Sequence, residues 1–153
     1  MQANDDALLL VGVLQADLDL AGEAVVDHVD ALDVAFVEQD LGDGLLHVGV
    51  NSYPEDFVVS EGKFYSVGIH PWRAHLASEE TMQLLTKCVA LPQVLAIGEV
   101  GIDKHSEASL SIQTELFRQQ ADLAESVKKP LVIHAVKAMD ELLAIKRQIN
   151  PKQ

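Results

Sequence analysis

From about residue 63 onward, the chain alternates short apolar runs with longer amphipathic segments. The apolar runs predict β-strands over Phe64–Ile69, Val94–Ile97 and Leu131–Ile133. The longer segments predict helices over 78–90, 109–128 and Met139–Ile149. In the second of them, Ile112, Leu116, Leu123 and Val127 recur at three-to-four-residue spacing, which indicates one buried face. Strands and helices that alternate in this way build parallel sheets through right-handed crossovers, so the pattern predicts an α/β fold with parallel strands.

Capping residues support the predicted helix ends. Ser78 can cap the first helix, and Glu79 and Glu80 follow in its first turn, where the helix dipole favours negative charge. Pro151 ends the third helix, because proline cannot donate a backbone hydrogen bond.

The first fifty residues carry a weaker pattern. Val25, Val29, Leu32 and Phe36 would share one helical face, which favours a helix over 21–37. The segment Val48–Val50 favours a short strand that leads into a turn at 51–54.

The length limits the architecture. A chain of 153 residues has the size of one domain, whereas a closed eight-stranded β/α barrel takes about 250 residues. At about 30 residues for each strand-and-helix unit, we expect roughly four or five units.

The net charge of −13 is unevenly distributed. Residues 1–62 contain 14 Asp and Glu and no Lys or Arg, whereas residues 63–153 contain 10 acidic and 11 basic residues. The acidic part is also rich in Val, Leu and Ala, unlike a disordered acidic tail. Affinity for the phosphate backbone comes from Lys and Arg, so the composition does not support a DNA-binding module. A nuclease could still use bound metal as local positive charge.

Cysteine content and the N-terminal segment indicate the cellular compartment of the protein. Cys88 is the only cysteine, which excludes an intramolecular disulfide framework. The apolar run 7–14 follows Asp5 and Asp6 instead of basic residues, unlike a signal peptide, and is too short to span a membrane. We therefore expect a cytoplasmic protein without a membrane partner.

Three side chains that can carry chemistry follow the three predicted strands. His70 follows the first, Glu99 the second, and His134 the third. In parallel α/β folds functional groups gather beyond the strand C-termini, so we expect these three to lie close together.

The chemistry of Glu99 and His134 favours a metal site. A carboxylate that follows an apolar run is costly to bury unless it is paired or bound to metal. Imidazole and carboxylate together suit zinc, manganese or related divalent ions, so we predict Glu99 and His134 as metal ligands. The alternatives are an exposed turn carboxylate with Gly98 and Gly101 serving the loop, and a hydrogen-bonded structural histidine.

Other candidate residues leave alternatives open. His70 suits a contact to substrate or phosphate, whereas Pro71 and Trp72 equally suit a loop-fixing role. Asp103 and Lys104 could position a substrate phosphate, although a solvated loop is the simpler role for Lys104. The sequence contains no Ser–His–Asp arrangement, Walker loop or dinucleotide fingerprint.

From about residue 51 to the end, the sequence resembles the TatD family of metal-dependent deoxyribonucleases, which are amidohydrolase-like barrels. The segments that carry the resemblance are Val67–Pro71, Ala96–Asp103, 113–124 with Phe117, Gln120 and Ala124, Pro130–His134, and Asp140. They match in order and spacing and cover about two thirds of the chain. We therefore divide the chain into an acidic region, residues 1–50, and a partial TatD-like β/α barrel of the TIM type, residues 51–153.

The resemblance implies a hydrolase of phosphodiester bonds that acts on DNA or a small phosphodiester with two divalent metal ions, zinc, magnesium or manganese. It implies that Glu99 is the catalytic carboxylate that bridges the metals and that His134 is a further ligand. His70 and Asp103 are the predicted substrate contacts.

The sequence departs from the family pattern at both ends. It contains no His-x-His pair, and the segment Asp27–Asp30 around His28 is at most a degenerate version; on the helical alternative it belongs to a solvated face. The family's later histidine and aspartate ligands have no counterpart before Gln153. We therefore expect a shortened or inactive form in which Glu99 and His134 alone bind metal weakly. The alternative is a non-catalytic half-barrel that associates with a partner or with itself through open sheet edges.

Overall fold

A six-stranded sheet carries the candidate site residues, and three helices pack against its central strands. The computed structural model describes residues 7–10, 36–40, 45–51 and 53–149. The strands are β1 (Ala7–Leu10), β2 (Phe36–Asp40), β3 (Leu45–Asn51), β4 (Phe64–Val67), β5 (Val94–Asp103) and β6 (Leu131–Val136). The helices are α1 (Glu79–Val89), α2 (Leu110–Val127) and α3 (Met139–Ile149).

The order of strands in the sheet is β1-β6-β5-β4-β3-β2. The four strands β3 to β6 pair in parallel, which confirms the predicted α/β fold for the part of the chain that carries the site. The two outer strands differ from the prediction, because β1 pairs with β6 and β2 pairs with β3 in antiparallel fashion. An α/β sheet of this kind commonly carries antiparallel edge strands.

The helix ends agree with the sequence to within a residue or two, because side-chain caps fix them. Ser78 and Thr81 form a reciprocal capping box at the start of α1, in which each side chain accepts a hydrogen bond from the other's backbone N–H. The hydroxyl of Ser109 accepts from the N–H of Ile112 at the start of α2. Lys128, in the left-handed conformation, ends α2.

The hydrophobic core lies between the helices and strands β4 to β6. Its fully buried members include Val67 of β4, Ile97 and Val100 of β5, Leu85 of α1 and Leu131 of β6. Burial of each such side chain contributes about 1.5–3 kcal/mol. This packing holds the helices at fixed positions against the sheet, and the site depends on that arrangement.

The predicted strand ends differ from the structure. The first strand ends at Val67 instead of Ile69, and the other two continue further than expected. The second runs to Asp103 and the third to Val136, so Glu99 and His134 lie inside strands β5 and β6 and not beyond their ends. The apolar runs end before the strands do, because the pairing of β5 with β6 continues through glycine and polar residues.

Predictions for the first fifty residues have mixed outcomes. The strand predicted at Val48–Val50 is confirmed as part of β3. The helix predicted over 21–37 lies mostly outside the described residues, and its last two positions belong to β2 instead. The division at residue 50 stays a prediction, and β3 crosses it.

Candidate metal and active site

Glu99 is carried by a β-bulge in β5. Gly98 pairs with Val132 and Val100 pairs with Ile133, so Glu99 is the extra residue without a partner on β6. A bulge leaves one residue out of the ladder and re-aims its side chain. The strand can therefore continue while the carboxylate points toward the neighbouring histidines.

Glycines allow the strands to approach closely around this bulge. A Cβ on Gly98 would lie 2.4 Å from the carbonyl oxygen of Val132, and one on Gly101 would lie 1.9 Å from that of His134. Both glycines have φ of +150°, which residues with side chains rarely adopt. A Cβ on Gly68, just after β4, would lie 2.7 Å from the Cα of Gly98. These glycines thus serve strand packing at the site, and not a loop.

His70 lies just after β4 at the start of a short 3-10 helix, Pro71–Leu76. Its Nδ1 accepts a hydrogen bond from the backbone N–H of Trp72 at 3.1 Å. Because a ring nitrogen that accepts this bond carries no proton, the neutral ring has its proton on Nε2. That Nε2 faces Oε2 of Glu99 at 3.5 Å. His70 therefore presents a hydrogen-bond donor to the site.

His134 differs from His70 in which ring nitrogen donates a hydrogen bond. Its Nε2 lies 3.0 Å from Oδ2 of Asp103, and its Nδ1 lies 4.0 Å from Oε2 of Glu99. Since an ionised carboxylate only accepts hydrogen bonds, Nε2 is the donor to Asp103. The neutral form of the ring, which is the form that binds metal, directs the lone pair of Nδ1 toward Glu99 and has a carboxylate behind the histidine.

Asp103 is buried, with 2% of its surface exposed, and its carboxylate is fully engaged. Besides His134, it accepts hydrogen bonds from the indole N–H of Trp72 at 2.6 Å and from the backbone N–H of His105 at 2.8 Å. Burial alone raises the pKa of Asp103, but the hydrogen bonds from His105, His134 and Trp72 outweigh it, and the pKa is lowered overall. The carboxylate is thus held in its ionised form.

Burial also shifts the pKa values of the two groups that face each other across the site. It lowers the pKa of His70 to about 3, with a further contribution from the neighbouring His134, so this ring stays neutral near pH 7. Burial raises the pKa of Glu99, and His134 partly opposes this. A nearby cation would favour the charged form of this carboxylate.

Two buried glutamines of α2 hold the segments that carry His70 and Asp103. The side-chain amide of Gln120 accepts from the N–H of Ile69 at 2.7 Å and donates to its carbonyl at 3.2 Å. Gln113 accepts from the N–H of Asp103 at 2.8 Å and donates to its carbonyl at 3.1 Å. The residues are seven positions apart, so they occupy one helical face two turns apart.

Gln113, Gln120 and the indole of Trp72 were not predicted from the sequence as part of the site. A detectable pattern was present for the glutamines, because both lie on the buried face of α2 with Leu116 and Phe117. Polar side chains at core positions are hydrogen-bonded in nearly every protein, so their placement alone indicates a structural or positioning contact.

The remaining candidates lie away from the three-residue cluster. Lys104 forms an ion pair with Glu141 of α3, at 2.5 Å between Nζ and Oε1. Asp140, which the resemblance included, lies exposed in the first turn of α3. His75 and His105 are exposed. The segment Asp27–Asp30 lies outside the described residues.

Within the described part of the chain, His70, Glu99 and His134 are the group whose side chains could together hold a metal ion, with ligand atoms within 4.8 Å of one another. A tetrahedral ion with bonds of about 2.0–2.1 Å keeps its ligand atoms roughly 3.3 Å apart, so the contacts of 3.5 and 4.0 Å are near that spacing. The donor set fits zinc or manganese. The two histidines differ in what they present to the site. In its neutral form His134 directs a lone pair toward Glu99, whereas His70 directs an N–H toward it.

Residues 50–153 match the family model described as TatD related DNase. The chain belongs to the TatD family. Membership confirms the resemblance that the strand-end motifs predicted, over about the range where they lie. None of the helices described in the structure is both long and apolar enough to cross a membrane.

Several curated proteins resemble this TatD chain. The 3'-5' RNA nuclease TATDN2 of Homo sapiens is 36% identical over 86 residues, which cover 55% of the chain and 11% of that protein. The uncharacterized metal-dependent hydrolase YabD of Bacillus subtilis (strain 168) is 35% identical over 86 residues, covering 56% and 34%. The 3'-5' ssDNA/RNA exonuclease TatD of Citrobacter rodentium (strain ICC168) is 30% identical over 136 residues, covering 82% and 49%.

The crystal structure of YJJV, a TatD homolog from Escherichia coli, has a similar fold. The TM-score is 0.60 at 22% sequence identity, and the match covers 68% of this TatD chain and 44% of that one. This likeness confirms the predicted class, a partial β/α barrel. The chain spans 11 to 49% of the length of the curated relatives described above.

Proposed function

We propose that this chain binds a divalent metal ion at Glu99 and His134 and that the site acts on phosphodiester bonds of single-stranded nucleic acid. The observation that carries the proposal is the approach of Nδ1 of His134 to Oε2 of Glu99, 4.0 Å apart, with Asp103 behind the ring. Relatives in the TatD family are named metal-dependent hydrolases and ssDNA/RNA exonucleases, which supports this chemistry.

Glu99 and His134 are the proposed metal ligands, and Glu99 is the proposed catalytic carboxylate. A divalent ion supplies Lewis-acid polarisation and local positive charge to a phosphodiester. Glu99 is suited to this role because burial penalises its charge in the absence of a cation, so binding of a cation relieves that penalty.

His70 is the proposed contact to the substrate phosphate. Its Nε2–H points into the site, and its low pKa keeps it a neutral donor near pH 7. A neutral imidazole can donate to a phosphate oxygen without repelling a cation that Glu99 and His134 would hold. The backbone N–H of Trp72 holds the ring in this protonation state.

Asp103 was predicted from the sequence as a substrate contact, and its surroundings favour a different role. Its carboxylate is buried and already accepts three hydrogen bonds, so we propose that it positions His134 instead of touching substrate. A carboxylate that accepts the second N–H of a metal-binding histidine fixes the ring and increases its basicity.

Metal titration by calorimetry tests the ligand assignment directly. We expect weak binding of Mn²⁺ or Zn²⁺, because two protein ligands are fewer than the three of a typical catalytic zinc site. Glu99→Gln and His134→Gln should abolish the binding, whereas His70→Gln should retain it. Equal loss in His70→Gln would instead assign all three residues as ligands.

Hydrolysis is tested with end-labelled single-stranded DNA and RNA, with metal added and with a chelator. We expect metal-dependent cleavage that Glu99→Gln removes. Metal binding without cleavage would show that the chain is a metal-binding module and not a hydrolase. If neither is found and sedimentation shows self-association, the predicted alternative of a non-catalytic half-barrel is favoured.

A further inference from the structure

Trp72 combines a buried polar contact with a large exposed surface beside the candidate site. It is 54% exposed and is the only tryptophan in the chain. Its indole N–H donates to the buried Asp103 carboxylate at 2.6 Å. Single exposed apolar side chains are common on protein surfaces, but most are not anchored at one end by a charge-assisted hydrogen bond.

The ring of Trp72 is held at a fixed orientation against the site. It contacts the ring of His70 edge to face, with centroids 5.2 Å apart and planes at 77°, and its centroid lies 6.5 Å from that of His134. Its backbone N–H is bonded to His70 as well. A ring that is already ordered loses little conformational entropy when a ligand packs on it.

The basic residues next to Trp72 and Asp103 in the chain are engaged in ion pairs. Arg73 lies 3.5 Å from Asp56, and Lys104 is paired with Glu141. Residues 63–153, which carry the site, contain 10 acidic and 11 basic residues, so this part of the chain has almost no net charge. Net charge therefore contributes little to the binding of a single strand, and base stacking on aromatic rings is a further source of affinity that tolerates any sequence.

We infer that the exposed surface of Trp72 is a stacking platform for a nucleobase of single-stranded DNA or RNA, adjacent to the phosphate that His70 contacts. The inference rests on the proposed function, because it places a nucleotide phosphate at the site. In a nucleotide whose phosphate lies beside His70, the base is one sugar away from that phosphate. The indole of Trp72 is an aromatic surface next to the ring of His70.

Tryptophan fluorescence tests the stacking without turnover, since Trp72 is the only indole in the chain. The protein is titrated with deoxyadenosine monophosphate, deoxyribose phosphate and inorganic phosphate, with correction for absorbance by the nucleotide. We expect quenching that saturates with the nucleotide only, and calorimetry should show binding of all three. If all three bind equally tightly and none quenches, the stacking is wrong while phosphate binding stands. If calorimetry shows no binding of any of them, both the stacking and the phosphate site are wrong.

Variants separate stacking from the hydrogen bond to Asp103. By anisotropy with a labelled single-stranded oligonucleotide, Trp72→Leu should weaken affinity roughly 5- to 150-fold. Trp72→Phe keeps a ring but loses the N–H, and should weaken it less than about fivefold. Leu76→Ala, at a comparably exposed position of the same 3-10 helix, is the control and should bind like wild type. Equal loss in Trp72→Phe and Trp72→Leu would attribute the effect to Asp103 and overturn the inference.

Discussion

Nε2 of His134 donates to Oδ2 of Asp103 at 3.0 Å, across the neighbouring strands β5 and β6. The contact joins a proposed metal ligand to a carboxylate that two further donors hold in place. It sets which nitrogen of His134 is free, and therefore whether the ring can face a metal ion with its lone pair.

Asp103→Asn should weaken metal affinity about 10- to 100-fold while leaving the fold intact, because the amide keeps the size but removes the charge behind the histidine. Calorimetric titration with Mn²⁺ or Zn²⁺ measures this. Asp122→Asn, at an exposed position of α2, is the matched control. Unchanged affinity in Asp103→Asn would show that His134 needs no carboxylate partner.

Gly101→Ala should destabilise the protein far more than Gly62→Ala. Both glycines have positive φ, but a Cβ on Gly62 meets no atom within 4 Å, whereas one on Gly101 meets the carbonyl of His134 at 1.9 Å. The backbone cost alone is about 1–3 kcal/mol, and the clash should bring the loss for Gly101→Ala to at least about 3 kcal/mol or prevent folding. Urea unfolding measures both variants. Similar losses would mean that β5 and β6 can separate at little cost.

Gln120→Met should lower the free energy of unfolding by about 1–3 kcal/mol, because it leaves the N–H and carbonyl of Ile69 without their side-chain partner. Gln119→Met replaces the exposed neighbour on α2 and should change stability little. Denaturant unfolding compares the two variants. If both behave alike, the amide of Gln120 contributes no more than a surface glutamine.

The buried neutral ring of His70 should make stability depend on pH. Its pKa is lowered from 6.5 to about 3, so between these values the unfolded chain binds more protons than the folded one. The free energy of unfolding should therefore fall as pH decreases from about 6.5 toward 3, by about 1.4 kcal/mol for each unit of the shift.

Chemical unfolding at a series of pH values, compared with His70→Gln, measures this contribution. The variant should have a flatter profile over the same window, whereas His75→Gln, which replaces an exposed histidine, should follow wild type. Parallel profiles for His70→Gln and wild type would contradict the burial of a neutral ring.

Local sequence was sufficient to predict the helices. Apolar periodicity indicated a buried face, and caps such as Ser78 and Ser109 indicated where the helices begin. The positions of His70, Glu99 and His134 after apolar runs also predicted that these residues converge, because functional groups of parallel strands gather toward one edge of a sheet. They do converge, although Glu99 and His134 lie inside β5 and β6. Membership of the TatD family was predicted from the segments that contain these three residues.

The bulge at Glu99 could not be predicted in this way. It depends on the pairing of β5 with β6, which is a long-range property, and the flanking glycines suit a turn equally well in sequence. The hydrogen bonds of Asp103 were missed for a related reason. Its partners Trp72 and His134 are each 31 residues away, so local sequence gives no indication of the hydrogen bonds that occupy it.

The two glutamines of α2 change what hydrogen exchange at the site would report. The amide protons of Ile69 and Asp103 are donated to side chains of a helix, and not to an adjacent strand. Their protection is therefore lost when α2 lifts away, even while the sheet stays paired. A single cooperative unit, the docked helix, thus sets the lifetime of the segments that carry His70 and Asp103, which will loosen together and not one by one.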